Sequence, residues 1–115
     1  MVVQAVAAHA WEMVRSMVEK RTPHYDLEDF KAAAHRIGVT TTALRDAAAL
    51  GFERADITDA LLSLRKAHFF KSMTSHRDVN EWQDAYHLPY GTEVYYVKFR
   101  GDAVLRFMLL SFKEF

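Results

Sequence analysis

The chain has 115 residues, 50% of them hydrophobic, with 15 Lys/Arg balanced against 15 Asp/Glu, six His and no Cys. This is material for one compact domain with a single core. The lack of cysteine excludes a disulfide framework, a thiolate nucleophile and Cys-ligated zinc, so any metal would need His and carboxylate ligands. No apolar run approaches the roughly 20 residues that span a bilayer, and the first residues lack the order of a signal peptide, which predicts a cytoplasmic protein with no membrane partner. A formal charge of zero argues against a non-specific nucleic-acid binder. Residues 1–64 carry 7 Lys/Arg against 9 Asp/Glu and residues 65–115 carry 8 against 6. That small bias suits either a local phosphate site in the second half or an ordinary solvated surface.

Val3, Val6, Ala7, Ala10, Trp11, Val14, Met17 and Val18 recur at helical spacing and predict a leading amphipathic helix, interrupted at Pro23. Asp26 is a candidate cap for a short helix with the buried stripe Leu27, Phe30, Ala34 and Ile37, for which Gly38 supplies a left-handed stop. Residues 39–41 are β-branched enough for a brief strand, after which Thr42 caps a helix over residues 43–50 that ends at Gly51. Asp56 caps a third, with Ile57, Ala60, Leu61 and Leu64 as its apolar face.

From Phe69 the hydrophobic period changes from helical to two, and residues 69–73, 81–86, 94–99 and 104–112 are the candidate strands, with a tight turn at Gly101-Asp102. Helices followed by consecutive antiparallel strands predict an α+β domain with a sheet of about four to five strands. In the third strand Tyr96, Lys98 and Arg100 project to one face while Tyr95, Val97 and Phe99 project to the other. Lys71 lies among Phe69, Phe70 and Met73, where an ammonium either points to solvent or must meet an anion.

RNA can be cut by its own 2′-hydroxyl if a base takes that proton, an acid protonates the departing 5′-oxygen and positive charge supports the phosphorane. Lysine and tyrosine can fill these roles without metal, and both occur on adjacent predicted strands. Trp82, Tyr86 and Tyr90 are candidates for stacking on unpaired bases or for ordinary packing. No two of the six histidines show a metal-ligand spacing, so no metal site and no cofactor are expected. His68, His76 and His87 lie in the half where a site would be.

Four blocks in order carry a resemblance: residues 18–25 (VEKRTPHY), 69–74 (FFKSMT), 82–86 (WQDAY) and 111–114 (SFKE). Together they resemble the MqsR family of toxins, the motility quorum-sensing regulators, from about Met17 onward. The resemblance implies a RelE-like fold and a toxin of a type II toxin–antitoxin system. It implies an mRNA endoribonuclease that works without the ribosome or metal, prefers trinucleotide sites beginning GC, and is held in check by an MqsA-like antitoxin. Carried over position by position, it assigns catalysis to Lys71, Gln83, Tyr96 and Lys113, with Tyr95 the alternative to Tyr96 because one extra residue lies between Gly91 and Lys98. Lys98, Arg77, Trp82 and Tyr86 are the expected substrate contacts. Two departures stand out: residues 1–16 form an extension ahead of the 17–115 domain, and Phe115 occupies a position where a basic residue is expected. The competing functions are a catalytically inactive antitoxin-binding regulator and a non-cleaving RNA-binding module.

Overall fold

The structure is a computed structural model that describes residues 18–115; the predicted leading helix lies outside the described residues as far as Met17, and its expected continuation from Val18 toward Pro23 is instead extended chain with the strand Glu19–Lys20, whose backbone is taken up by pairing with the strand Phe69–Thr74. The order is β1 (Glu19–Lys20), α1 (Leu27–Ala33), β2 (Gly38–Val39), α2 (Thr41–Ala49), α3 (Arg54–Leu62), a 3-10 turn (Lys66–His68), β3 (Phe69–Thr74), β4 (Trp82–Tyr90), β5 (Glu93–Arg100) and β6 (Met108–Glu114). The strands form one sheet in the order β1-β3-β4-β5-β6-β2, antiparallel except where β2 runs parallel to β6. The fold is the expected α+β arrangement. Six strands replace the four to five expected: β2 is the brief strand expected near Val39, displaced to Gly38–Val39, and β1 is the addition, two residues too short to show a period.

Local chemistry explains the helix boundaries. The Asp26 side chain accepts from the Asp29 N–H at 3.0 Å and starts α1, as its position predicts. The cap of α2 is Thr40 and not Thr42: Thr40 leaves β2 with its N–H still bonded to the Leu109 carbonyl, and its hydroxyl accepts from Ala43 N at 3.2 Å. The cap of α3 is Glu53, and Asp56 sits three residues inside, returning a 2.8 Å bond to the Glu53 N–H.

Gly51, at φ +87°, is the left-handed stop after α2. Gly51→Ala is expected to lower stability by about 1 kcal/mol, read as a lower urea midpoint at constant m, because a Cβ is disfavoured at that φ. Gly38 has no such backbone. Met108 packs over it instead: a Cβ there would lie 2.6 Å from Met108 Cε across the β2–β6 pair, a contact the flexible methionine would have to give up.

The helices cover one sheet face. Leu27, Phe30, Ala34 and Ile37 from the α1 region, with Ile57, Ala60, Leu61 and Leu64 from α3, are buried as their spacing predicts, against Tyr86, Leu88, Val97, Phe99, Leu109 and Phe112. Phe30 stacks on Phe99 with ring centroids 3.6 Å apart, and each such buried side chain stabilises the fold by about 1.5 to 3 kcal/mol. β4 runs on to Tyr90 and turns into β5 through Gly91, at φ +63°. The predicted tight turn at Gly101-Asp102 is instead a seven-residue loop, 101–107, so β6 begins at Met108. The Asp102 carboxylate organises it, accepting from Val104 N at 3.0 Å, Arg106 N at 2.9 Å and Arg106 Nε at 2.8 Å.

Among the described residues one charged side chain lies fully inside the fold, with Ser72 buried beside it. Asp84 on β4 accepts from the backbone N–H groups of His24 and Tyr25 and from the Ser72 hydroxyl at 2.6 Å. It ties the chain between β1 and α1 to the middle of the sheet, while His24 stacks on Trp82 at 5.2 Å and Lys20 Nζ lies 4.1 Å from the same ring.

Candidate active site

Side chains of successive strand residues alternate between faces, so register decides which polar groups meet on the face away from the helices. Three rows cross it. One joins His87, Tyr96 and Lys113; a second joins Lys71, Ala85, Lys98 and Ser111; a third joins Met73, Gln83 and Arg100. All four residues assigned catalytic roles by resemblance, Lys71, Gln83, Tyr96 and Lys113, therefore share one face with Lys98. In the second row only the small side chain of Ala85 separates Lys71 from Lys98, two strand spacings or roughly 10 Å apart along the backbone.

Tyr96, Lys98, Ser111, Lys113, Glu114 and Phe115 line a depression of about 300 Å³. Lys113 Nζ lies 5.7 Å from the centre of the Tyr96 ring. Burial, and secondly the charge of Glu19, raise the Tyr96 pKa above the ordinary tyrosine value, so the phenol holds its proton at neutral pH and can only donate it. Lys98 is shifted the other way. Burial, and secondly the nearby Lys113 ammonium, lower its pKa against a smaller opposing pull from Glu81, which makes its neutral amine more accessible than that of an ordinary lysine. Two groups with pKa values displaced in opposite senses stand next but one to each other on one strand, an arrangement suited to paired proton donation and acceptance.

Lys71 meets the anion that its apolar flanks demand. Its Nζ donates to Glu19 Oε1 at 2.6 Å, with both side chains partly exposed. Glu19 reaches the site because β1 pairs with β3 opposite Met73. Sequence reasoning missed it, since a two-residue strand shows no period and only its place in the first resembling block marks it. Gln83 donates to Glu81 Oε1 at 3.1 Å, and Arg100 Nε lies 3.7 Å from the same oxygen, so Glu81 ties the third row together.

His87 is the second residue that spacing rules passed over. It lies opposite Tyr96, ring centroids 6.2 Å apart, and is sandwiched between Phe70 at 4.3 Å and Phe115 at 3.9 Å. Its Nε2 is buried with no hydrogen-bond partner, and burial lowers its pKa, so the ring is a neutral aromatic plate at neutral pH.

Other expected contacts lie elsewhere. Tyr86 is fully buried against Phe69 and Phe99 on the helix side, where no base can stack on it. Trp82 shares that side of β4, its ring already covered by His24 and Lys20. Both residues fall at even positions of β4, which alternation assigns to the face opposite Gln83. Tyr95 is buried against Phe52 and Phe112, so Tyr96 alone of the pair faces Lys98 and Lys113. Arg77 is exposed in the loop between β3 and β4. Among the described residues no cluster of three or more His, Asp or Glu has the proximity to hold a metal ion, and no helix is long and apolar enough to cross a membrane.

Comparison with known proteins adds to this geometry. Residues 22–114 match the family model described as motility quorum-sensing regulator, toxin of MqsA. The mRNA interferase toxin MqsR of Escherichia coli (strain K12) is 33% identical over 99 residues, an alignment covering 84% of this chain and 99% of the relative.

Proposed function

The chain belongs to the MqsR toxin family, and from that premise we propose that it is a sequence-specific mRNA endoribonuclease, the toxin of a type II toxin–antitoxin pair. The observation that carries this reading is the single sheet face on which Tyr96, Lys98 and Lys113 line one depression with Lys71 and Gln83 in adjoining rows. Its substrate is single-stranded mRNA in the cytoplasm, cut without the ribosome at short sites beginning GC, and its partner is an MqsA-like antitoxin.

In the proposed reaction the substrate's 2′-oxygen forms a bond to phosphorus as its proton passes to the neutral Lys98 amine. Lys113 and Lys71 support the charge on the phosphorane, with Glu19 holding Lys71 in place, and Gln83 orients the RNA. The bond to the 5′-oxygen breaks as Tyr96 donates its proton there, leaving a 2′,3′-cyclic phosphate and a 5′-hydroxyl end. The Lys98 proton then returns to the phenolate through solvent, so the cycle consumes no proton and needs no redox partner.

Purified protein incubated with a defined RNA in EDTA is expected to give discrete cuts with 5′-hydroxyl ends. Uncut RNA would end the proposal, and RNA retained but intact would leave a binding module in its place. A pH dependence follows from the two shifts. The acceptor must be unprotonated, so kcat/KM rises with pH until it passes the lowered Lys98 pKa, and it falls only above the raised Tyr96 pKa, at strongly alkaline pH. Lys98→Arg keeps the charge but removes a titratable amine. A rising limb that survives in this variant would exclude Lys98 as the proton acceptor.

A further inference from the structure

Phe115 is the most exposed large apolar side chain on the catalytic face, 71% exposed, and its position is not that of an unsupported chain end. Its backbone N–H donates to the Val94 carbonyl at 2.9 Å, extending the β5–β6 pairing by one residue. Beneath the ring lies His87 at 3.9 Å and 28°, and beneath that Phe70 at 4.3 Å and 25°. Three near-parallel rings at these separations form a short stack whose lower members are half-buried and whose top plate is open. The same phenyl ring lines the depression that holds Tyr96, Lys98 and Lys113.

Resting on the nuclease reading above, we propose that the Phe115–His87–Phe70 stack is a nucleobase platform, on which the base of a single-stranded RNA nucleotide next to the scissile phosphodiester lies flat on Phe115. An exposed phenyl group among lysines is poor at burying apolar surface against another protein core but well suited to a ligand that alternates flat rings with phosphates. The placement fits such a ligand, because in the depression Lys113 meets the phosphate and Lys98 the 2′-hydroxyl beside it, while the ring at the rim meets the base. A neutral His87 serves the platform better than a charged one. As a plain aromatic plate it supports Phe115 without adding a cation that must itself be solvated. Because every base has a π face, the stack supplies affinity and register without fixing which base is read.

The test pairs binding with cleavage. Fluorescein-labelled single-stranded 2′-O-methyl RNA cannot be cut and reports binding by anisotropy, while the all-ribose version reports kcat and KM. Phe115→Leu is expected to weaken binding about tenfold and raise KM to match, with kcat within about twofold, and Phe115→Trp to restore both. Oligonucleotides lacking one base at a time locate the partner: wild type should lose about tenfold at one position, where Phe115→Leu loses nothing further. Equal binding by wild type and Phe115→Leu overturns the platform, as does a Phe115→Leu defect that persists at every abasic position. Cleavage with no Phe115 effect removes the stack and leaves the nuclease reading intact. Phe115-dependent binding without cleavage of the all-ribose RNA does the reverse.

Discussion

Tyr96→Phe is expected to lower kcat for RNA cleavage by about 10²- to 10⁴-fold, the range typical of losing a positioned general acid, while RNA binding and thermal stability stay near wild type. The change removes one hydroxyl from a partly exposed ring and leaves the packing of β5 between β4 and β6 untouched. The raised pKa of Tyr96 is what makes the prediction specific. A phenol that keeps its proton well into alkaline pH can act only by donating it, and the 5′-oxygen is the group that needs one. An RNA whose 5′-bridging oxygen is replaced by sulfur leaves without protonation, so the defect should largely disappear on that substrate. Cleavage of ordinary RNA by Tyr96→Phe at the wild-type rate, or a defect equally large on the sulfur-bridged RNA, would rule out the acid role. Lys113→Ala should behave differently, slowing both substrates, because charge on the phosphorane is needed whichever atom leaves.

How much of this was legible in the residues depends on the range over which each signal acts. The buried stripes of α1 and α3 were read correctly because helical spacing is local, and Tyr96 was separated from Tyr95 because strand alternation is local too. The boundary at Thr40 is displaced by a partner distant in the chain, that at Glu53 by a reciprocal capping box in which Asp56 holds the third helical position, and that at Met108 by the loop the Asp102 carboxylate organises. The Thr40 N–H bonds to Leu109, which no inspection of residues 38–43 reveals. The candidate site divides in the same way. Period two puts Tyr96 and Lys98 on one face, but which face of β4 holds Gln83, and that Glu19 arrives beside Lys71, follow only from register across β1, β3 and β4. Of the two readings open for Tyr86, stacking or packing, burial selects packing, because even positions of β4 face the helices; Trp82 shares that side and is half-buried. His87 lies in the half of the chain where a site is expected, but its ring partners are 17 residues before it and 28 after it, at Phe70 and Phe115, beyond the reach of any spacing rule.

Asp84→Ala is expected to lower unfolding free energy by about 3 to 5 kcal/mol, a large share of the 5 to 15 kcal/mol typical of a domain of this size. Three donors converge on this fully buried carboxylate, from His24, Tyr25 and Ser72, and alanine leaves them without an acceptor where water cannot readily replace it. Asp84→Asn preserves the volume and isolates the chemistry. Its NH₂ group would have to face one of the N–H or O–H donors, so it too should destabilise, while a pure packing role would leave it close to wild type. Urea unfolding at constant m measures both variants, and a loss below about 1 kcal/mol for Asp84→Ala would show that the carboxylate is dispensable. The consequence extends to the site. Asp84 anchors residues 24 and 25, these lead directly from β1, and β1 carries Glu19 to Lys71. Under conditions where Asp84→Asn remains folded, it should therefore cleave RNA more slowly than its folded fraction accounts for, and adding Lys71→Ala should cost it less than the same change costs the wild type.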